Sequence, residues 1–136
     1  MSRPARFVFT KLVVADEERM AAYYAGVYGL DLISRVEGMS ASGAGAFREV
    51  ILGRRETPHE GSLVIICFPE RPAPRDQECI LGFLTDDLDE LAVRITASGG
   101  RLSGEIRDLP EHGLRVVFST DPEGHVAENV QVLGQG

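Results

Sequence analysis

Asp87-Leu88-Asp89-Glu90-Leu91-Ala92-Val93-Arg94-Ile95, running on to Gly99-Gly100, is the stretch on which the fold turns. Asp is a strong helix cap, because its carboxylate accepts from orphan backbone N–H groups of the first turn, and Glu90 three residues on completes a capping-box pattern. Leu88, Leu91, Ala92 and Ile95 recur at helical spacing and make one apolar stripe. The two glycines stop it. An earlier stretch has the same design. Asp16 opens a helix to about Val27, Met20, Tyr24 and Val27 form its stripe, and Gly29 ends it. Asp87 follows Asp16, and Gly100 follows Gly29, by the same 71 residues. Two landmarks at one offset indicate an internal repeat.

Strand patterns surround each helix. Residues 7–14, 30–36, 47–52 and 63–68 are rich in β-branched and aromatic side chains, and 63–68 is apolar on both faces, as a central strand is. The Gly-, Ser- and Ala-rich run 38–46 reads as a mobile loop, and 53–61, with Arg54-Arg55, Pro58 and His59, as a polar hairpin connection. Pro69, Pro72 and Pro74 mixed with charges give residues 69–78 a linker composition. The pattern then restarts with strands at 80–85, 101–106, 114–119 and 125–132. The fold class expected is α+β: one domain of two βαβββ modules, residues 6–68 and 79–133. Each is a four-stranded sheet with its helix on one face. The two free faces, side by side, would form a shared cleft.

Composition narrows the function. Lys and Arg total 14 against 21 Asp and Glu, a net charge of -7, which opposes nucleic-acid phosphates and permits a cationic ligand. No apolar run approaches the roughly 20 residues of a membrane helix. The chain begins Met1-Ser2-Arg3-Pro4-Ala5-Arg6 and enters a strand pattern rather than a signal-peptide apolar region, so a cytoplasmic location is expected. Cys67 and Cys79 have neither metal-site spacing nor a disulfide framework, and both read as small buried hydrophobes. Tyr23, Tyr24 and Tyr28 read as core or dimer packing, and Gly43-Ala44-Gly45 lacks the strand-turn-helix context of a phosphate cradle.

The last strand carries the chemistry. Asp121-Pro122-Glu123-Gly124 is a type I turn sequence. After it, Val126, Glu128 and Val130 share one face and Ala127 and Asn129 the other. An acid between two valines is either an edge residue or a functional group in a cavity. In the second case it serves as a general base or grips a cationic or hydroxyl-bearing ligand.

These features resemble the vicinal oxygen chelate superfamily, which includes glyoxalase I, extradiol dioxygenases, fosfomycin-resistance enzymes and bleomycin-resistance proteins. The resemblance spans roughly residues 7–133. It is carried by the helix from Asp16 to Leu30 with Tyr24 and Gly29, by Asp86-Asp87-Leu88-Asp89, and by Asp121-Pro122-Glu123-Gly124-His125-Val126-Ala127-Glu128. It implies up to four metal ligands, one on each of four cleft-lining strands. The matching positions are Phe9, Ile66, Ile80 and Glu128, so three of the four have no donor atom. A catalytic divalent cation takes three or more protein ligands of oxygen, nitrogen or sulfur. His59 and His112 fall in hairpin loops, and His125 lies on the face opposite Glu128. The metal site is therefore expected to be lost, with no cofactor.

Strand parity fills in the remaining lining. With Phe9 in the cleft go Phe7, Lys11 and Val13; with Ile66 go Val64 and Phe68; with Ile80 go Gly82 and Leu84. Residues Phe47, Glu49 and Ile51 follow, with Arg48 opposite. The ligand-binding set is thus Phe9, Lys11, Glu49, Ile66, Ile80 and Glu128, with Glu128 as the candidate catalytic base and with Lys11 pairing with it, anchoring an anion or a carbonyl, or snorkelling to the rim. The resemblance implies a small-molecule binder of the bleomycin-resistance kind, and commonly a homodimer. The alternatives are a metal-dependent lyase or dioxygenase, and a metal-free isomerase or cyclase using Glu128.

Overall fold

Asp16 and Asp87 both do what a helix cap does. In the computed structural model, which describes residues 4–74 and 79–134, the Asp16 carboxylate accepts from the Arg19 amide at 3.1 Å and the Asp87 carboxylate from the Glu90 amide at 3.1 Å. They open α1 (Glu17–Tyr28) and α2 (Leu88–Ala97). The second cap is only half of a capping box. The Asp87 amide is taken by Thr85 Oγ1, and the Glu90 carboxylate turns to Arg94 instead. The stripes are as expected: Met20, Tyr24 and Val27, and Leu88, Leu91, Ala92 and Ile95, are all buried. Gly29 closes α1 in the left-handed conformation that favours glycine, at φ 69°. Its counterpart after α2 is Gly99, at φ 94°, one residue ahead of the repeat offset, because Ser98 already caps the shorter helix.

The chain divides into two compact units. The first takes the described residues up to Ala25 and from Gly29 to Pro74; the second takes Gly26–Tyr28 and the described residues beyond Pro74. Of the proline-rich stretch 69–78, residues 75–78 lie outside the described residues.

In the first unit β1 (Phe9–Val13), β2 (Asp31–Met39), β3 (Ala46–Gly53) and β4 (Ser62–Cys67) form one mixed sheet of order β1-β4-β3-β2. The register fixes its two faces, since paired residues project to the same side. Leu12 pairs with Ile65 and Ile65 with Val50, and all three are buried. Arg48 and Arg35 share that face. They meet Glu17 at 3.1 Å and Glu18 at 2.8 Å, which ties the start of α1 to it. The opposite, helix-free face carries Phe9 and Ser62, Lys11, Val64 and Ile51, and Val13, Ile66 and Glu49. The long loop expected at 38–46 is shorter. Both flanking strands extend, and the Ser40 amide closes the turn on the Gly45 carbonyl at 2.9 Å.

In the second unit β5 (Leu81–Leu84), β9 (Val126–Val132), β8 (Leu114–Thr120) and β6 (Arg101–Leu102) follow one another, and β7 (Arg107–Leu109) also pairs with β8. Of the strand expected at 101–106 only Arg101 and Leu102 form one; β7 follows beyond that range and makes this sheet five-stranded. The break spans Ser103–Ile106, where Gly104 takes φ 94° and so interrupts the pleat. Among the described residues no helix is long and apolar enough to cross a membrane.

Candidate functional site

A cavity of about 260 Å³ opens on the helix-free face of the first sheet. Its floor and walls come from three adjacent strands: Phe9 and Lys11 of β1, Ser62 and Val64 of β4, and Glu49 and Ile51 of β3. Val8, Pro58 and His59 complete the rim. Most of the lining is apolar, with a few placed polar groups, as small-molecule sites are. Lys11 Nζ donates to Glu49 Oε1 at 2.9 Å. The partners differ in exposure: the lysine side chain is 43% accessible and the glutamate 8%. The ammonium also stands 5.8 Å from the Phe9 ring centroid and 6.0 Å from that of Phe47, at the outer limit of cation–π attraction.

The sequence-derived residues do not all meet here. Phe9, Lys11 and Glu49 line one cavity. Ile66 is on the same face, buried, and paired directly with Glu49. Phe7 lies outside β1 and is 86% exposed, so it builds no wall. Ile80 and Glu128 belong to the second unit. Ile80 precedes β5 rather than opening it, and it is exposed. Glu128 is half-buried, with Val126 and Val130 beside it on β9, Gly82 of β5 on one side and Phe118 of β8 on the other. A Cβ added at Gly82 would meet nothing within 4 Å, so there is open space over the cross-strand partner of Glu128. The carboxylate that pairs with Lys11 within the first unit is Glu49.

Four cavity residues, Val8, Pro58, His59 and Ser62, are not among the lining expected from the sequence. Val8 precedes β1, outside its strand alternation. Ser62 is two positions before Val64 and within reach of strand parity, but the apolar pattern starts at Leu63. The Ser62 hydroxyl donates to the Pro58 carbonyl at 2.8 Å and so folds the hairpin connection onto the cavity rim. That loop closure, which no periodicity reveals, carries His59 to the site.

The helix-side face of the second sheet holds a different polar cluster. Asn129, fully buried, donates through Nδ2 to the Val117 carbonyl at 3.1 Å and to Ser119 Oγ at 2.9 Å. The Tyr28 hydroxyl donates to Asn129 Oδ1 at 2.7 Å, and its ring stacks on Phe83 with centroids 3.6 Å apart. Tyr28 thus packs within the protein, and its hydroxyl adds a hydrogen bond to that packing. Burial pushes its hydroxyl up to about 12; a hydrogen bond with Ser119 works against this and the Asp121 charge adds to it. His125 is buried on this side, opposite Glu128, with Nδ1 2.7 Å from Asp121 Oδ2. Asp121 Oδ1 also accepts from the Glu123 and His125 amides, so this acid holds the turn before β9. Cys67 is buried, its thiol donating to the Ala15 carbonyl, but Cys79 is exposed, against expectation, because β5 starts two residues after it.

The four positions implied as metal ligands fail on chemistry. Phe9, Ile66 and Ile80 offer no donor atom, and one carboxylate falls short of the three or more ligands a divalent ion takes. Among the described residues no three His, Cys, Asp or Glu side chains gather in a group that could hold a metal ion.

Comparison with known proteins gives the same frame. The family model described as the Glyoxalase/Bleomycin resistance protein/Dioxygenase superfamily matches residues 6–128. No curated protein matches the sequence significantly. Many solved structures are similar. A glyoxalase family protein from Bacillus cereus is 19% identical, with a TM-score of 0.79 over 98% of this chain and 97% of that one. TnmS3, an antibiotic binding protein from Streptomyces sp. CB03234, is 22% identical, with a TM-score of 0.67 over 96% of this chain and 99% of that one. Glyoxalase I from Zea mays is 19% identical, with a TM-score of 0.70 over 95% of this chain but 45% of that one. At these identities the likeness is one of fold.

Proposed function

We propose that this chain, which belongs to the glyoxalase/bleomycin resistance protein/dioxygenase superfamily, binds a small, partly apolar organic molecule on the helix-free face of its first sheet, with no divalent metal at the superfamily positions. The observation that carries this reading is the cavity itself, with hydrophobic walls from Phe9, Ile51 and Val64 around a single ion pair. An antibiotic binding protein among the structural neighbours supports binding without turnover. Calorimetry tests it. Aromatic cations of the bleomycin type and uncharged aromatic fragments are titrated into the wild-type chain and into Ile51→Asp, which places a charge in the wall. Binding by the wild type that Ile51→Asp abolishes supports the reading, and binding of equal strength in both refutes it. Stoichiometric Zn, Ni, Mn or Fe in protein purified without chelators would restore the metal-dependent lyase or dioxygenase.

A second reading rests on the open space over Gly82, the cross-strand partner of Glu128. There the carboxylate moves a proton in an isomerisation or cyclisation of a small carbonyl compound. Unchanged turnover of such a substrate in Glu128→Gln removes it. The assembly proposed is a homodimer, and sedimentation that finds only monomer at micromolar concentration refutes it.

A further inference from the structure

The ion pair in the first-unit cavity specifies a kind of ligand. Lys11 Nζ has three N–H donors and the Glu49 carboxylate about four acceptor sites. Among the described residues each makes one hydrogen bond, the one to the other. Donors and acceptors to spare therefore lie side by side on the cavity wall. The remaining polar groups compete little, because the Ser62 hydroxyl is committed to the Pro58 carbonyl and His59 is exposed at the rim. The pair is also electrically balanced. An organic anion that reached Lys11 would stand close to the buried Glu49 carboxylate, and a cation that reached Glu49 would stand close to the ammonium. Either would leave a surplus charge beside apolar walls, where charge is poorly solvated. An uncharged group with a donor and an acceptor on one edge meets both partners and disturbs neither. The flanking Phe9 and Phe47 rings and the Ile51 and Val64 side chains favour a flat apolar body behind that edge.

We infer that the Lys11–Glu49 pair reads a neutral, flat ligand with a carboxamide- or lactam-type edge, whose carbonyl accepts from Lys11 Nζ and whose N–H donates to Glu49. This rests on the cavity being the binding site. The test uses three probes with one ring and nearly equal size: benzamide, benzoate and benzylamine. Each is titrated into the isotope-labelled full chain, and amide shifts at Phe9, Lys11, Glu49 and Val64 are followed. Benzamide is expected to bind at least tenfold more tightly than either charged probe. The order should then change with the wall. Glu49→Gln, which keeps the shape, should bring benzoate level with or ahead of benzamide, and Lys11→Met should do so for benzylamine. Spectral dispersion reports that each variant is folded. A charged probe that equals benzamide in the wild type overturns the inference, as does an order that both variants leave unchanged. Toluene separates this failure from that of the cavity reading. Toluene shifts at the same residues without benzamide selectivity refute only the donor–acceptor inference, and no shifts with any of the four refute both.

Discussion

Tyr28→Phe removes one oxygen atom and leaves the ring on Phe83, so it tests the hydrogen bonds of the hydroxyl, chief among them the one to Asn129. The variant strands Asn129 Oδ1, a fully buried acceptor in a residue whose Nδ2 stays tied to Val117 and Ser119. A buried polar atom left without its partner costs about 1–3 kcal/mol, more than the net worth of the bond. For a chain of this length each kcal/mol moves Tm by roughly 3–4 °C, so a loss of about 3–12 °C is expected. The hydroxyl adds a pH signature. Its folded value of about 12 is above the ordinary 10.0, so the folded state holds the proton more tightly than the unfolded chain. That contribution is complete below pH 10 and is lost as pH rises towards 12. Fully expressed it amounts to about 2–3 kcal/mol, at about 1.4 kcal/mol for each pH unit of displacement. Urea titrations of both proteins at pH 7, 9, 11 and 11.5 give the comparison. The wild type should lose its advantage over Tyr28→Phe between pH 10 and 12, with m unchanged. Equal midpoints at pH 7, or a gap that stays constant to pH 11.5, would refute the reasoning.

Two further predictions concern stability. Lys11→Met leaves the Glu49 carboxylate unpaired at 8% accessibility, but the lysine is itself 43% accessible, so solvent screens part of the effect. A loss of about 1–2 kcal/mol by urea denaturation is expected, and Lys11→Met/Glu49→Leu should recover most of it, because no charge is then left unpaired. Asp87→Ala should lower stability by about 1 kcal/mol through loss of the α2 cap, whereas Glu90→Ala should stay within about 0.5 kcal/mol, because the capping box is not closed. Equal effects of Asp87→Ala and Glu90→Ala in thermal unfolding would contradict the cap geometry.

What was legible in the sequence is what depends on neighbours along the chain. Asp16 and Asp87 announce their helices because a cap is chemistry within three residues. Met20, Tyr24, Leu91 and Ile95 announce buried stripes because helical spacing repeats within two turns. Asp121 and Gly124 announce a turn, and the Gly124 amide does bond back to the Asp121 carbonyl at 2.9 Å. Legibility ends where partners are remote. Tyr28 meets Asn129 across 101 residues of sequence, and its stripe gave no hint of it. Strand parity put Lys11 and Glu49 on one face but could not bring them together, because their strands are not neighbours. In the order β1-β4-β3-β2 they are separated by β4. Two strand spacings are about 9–10 Å, and only a side chain as long as lysine, reaching diagonally past Val64, closes that gap to 2.9 Å.

The same register explains why an acid persists beside a superfamily ligand position that has none. Ile66 stands where the resemblance implies a metal-binding carboxylate, and its cross-strand partner on the same face is Glu49. A carboxylate is therefore present one strand away, and its counter-charge is already supplied by Lys11 Nζ. A divalent ion at Glu49 would have to displace that ammonium; of the other cavity side chains Phe9, Ile51 and Val64 have no donor atom and the Ser62 hydroxyl is committed to the Pro58 carbonyl, which leaves His59 at the rim. An ammonium also supplies what a bare metal ion lacks, directed N–H donors of its own beside the acceptor sites of the carboxylate. On the binding mode proposed above, the face offers hydrogen bonding in place of coordination. A ligand held this way is selected by the pattern of donors and acceptors along its edge, not by its affinity for a cation.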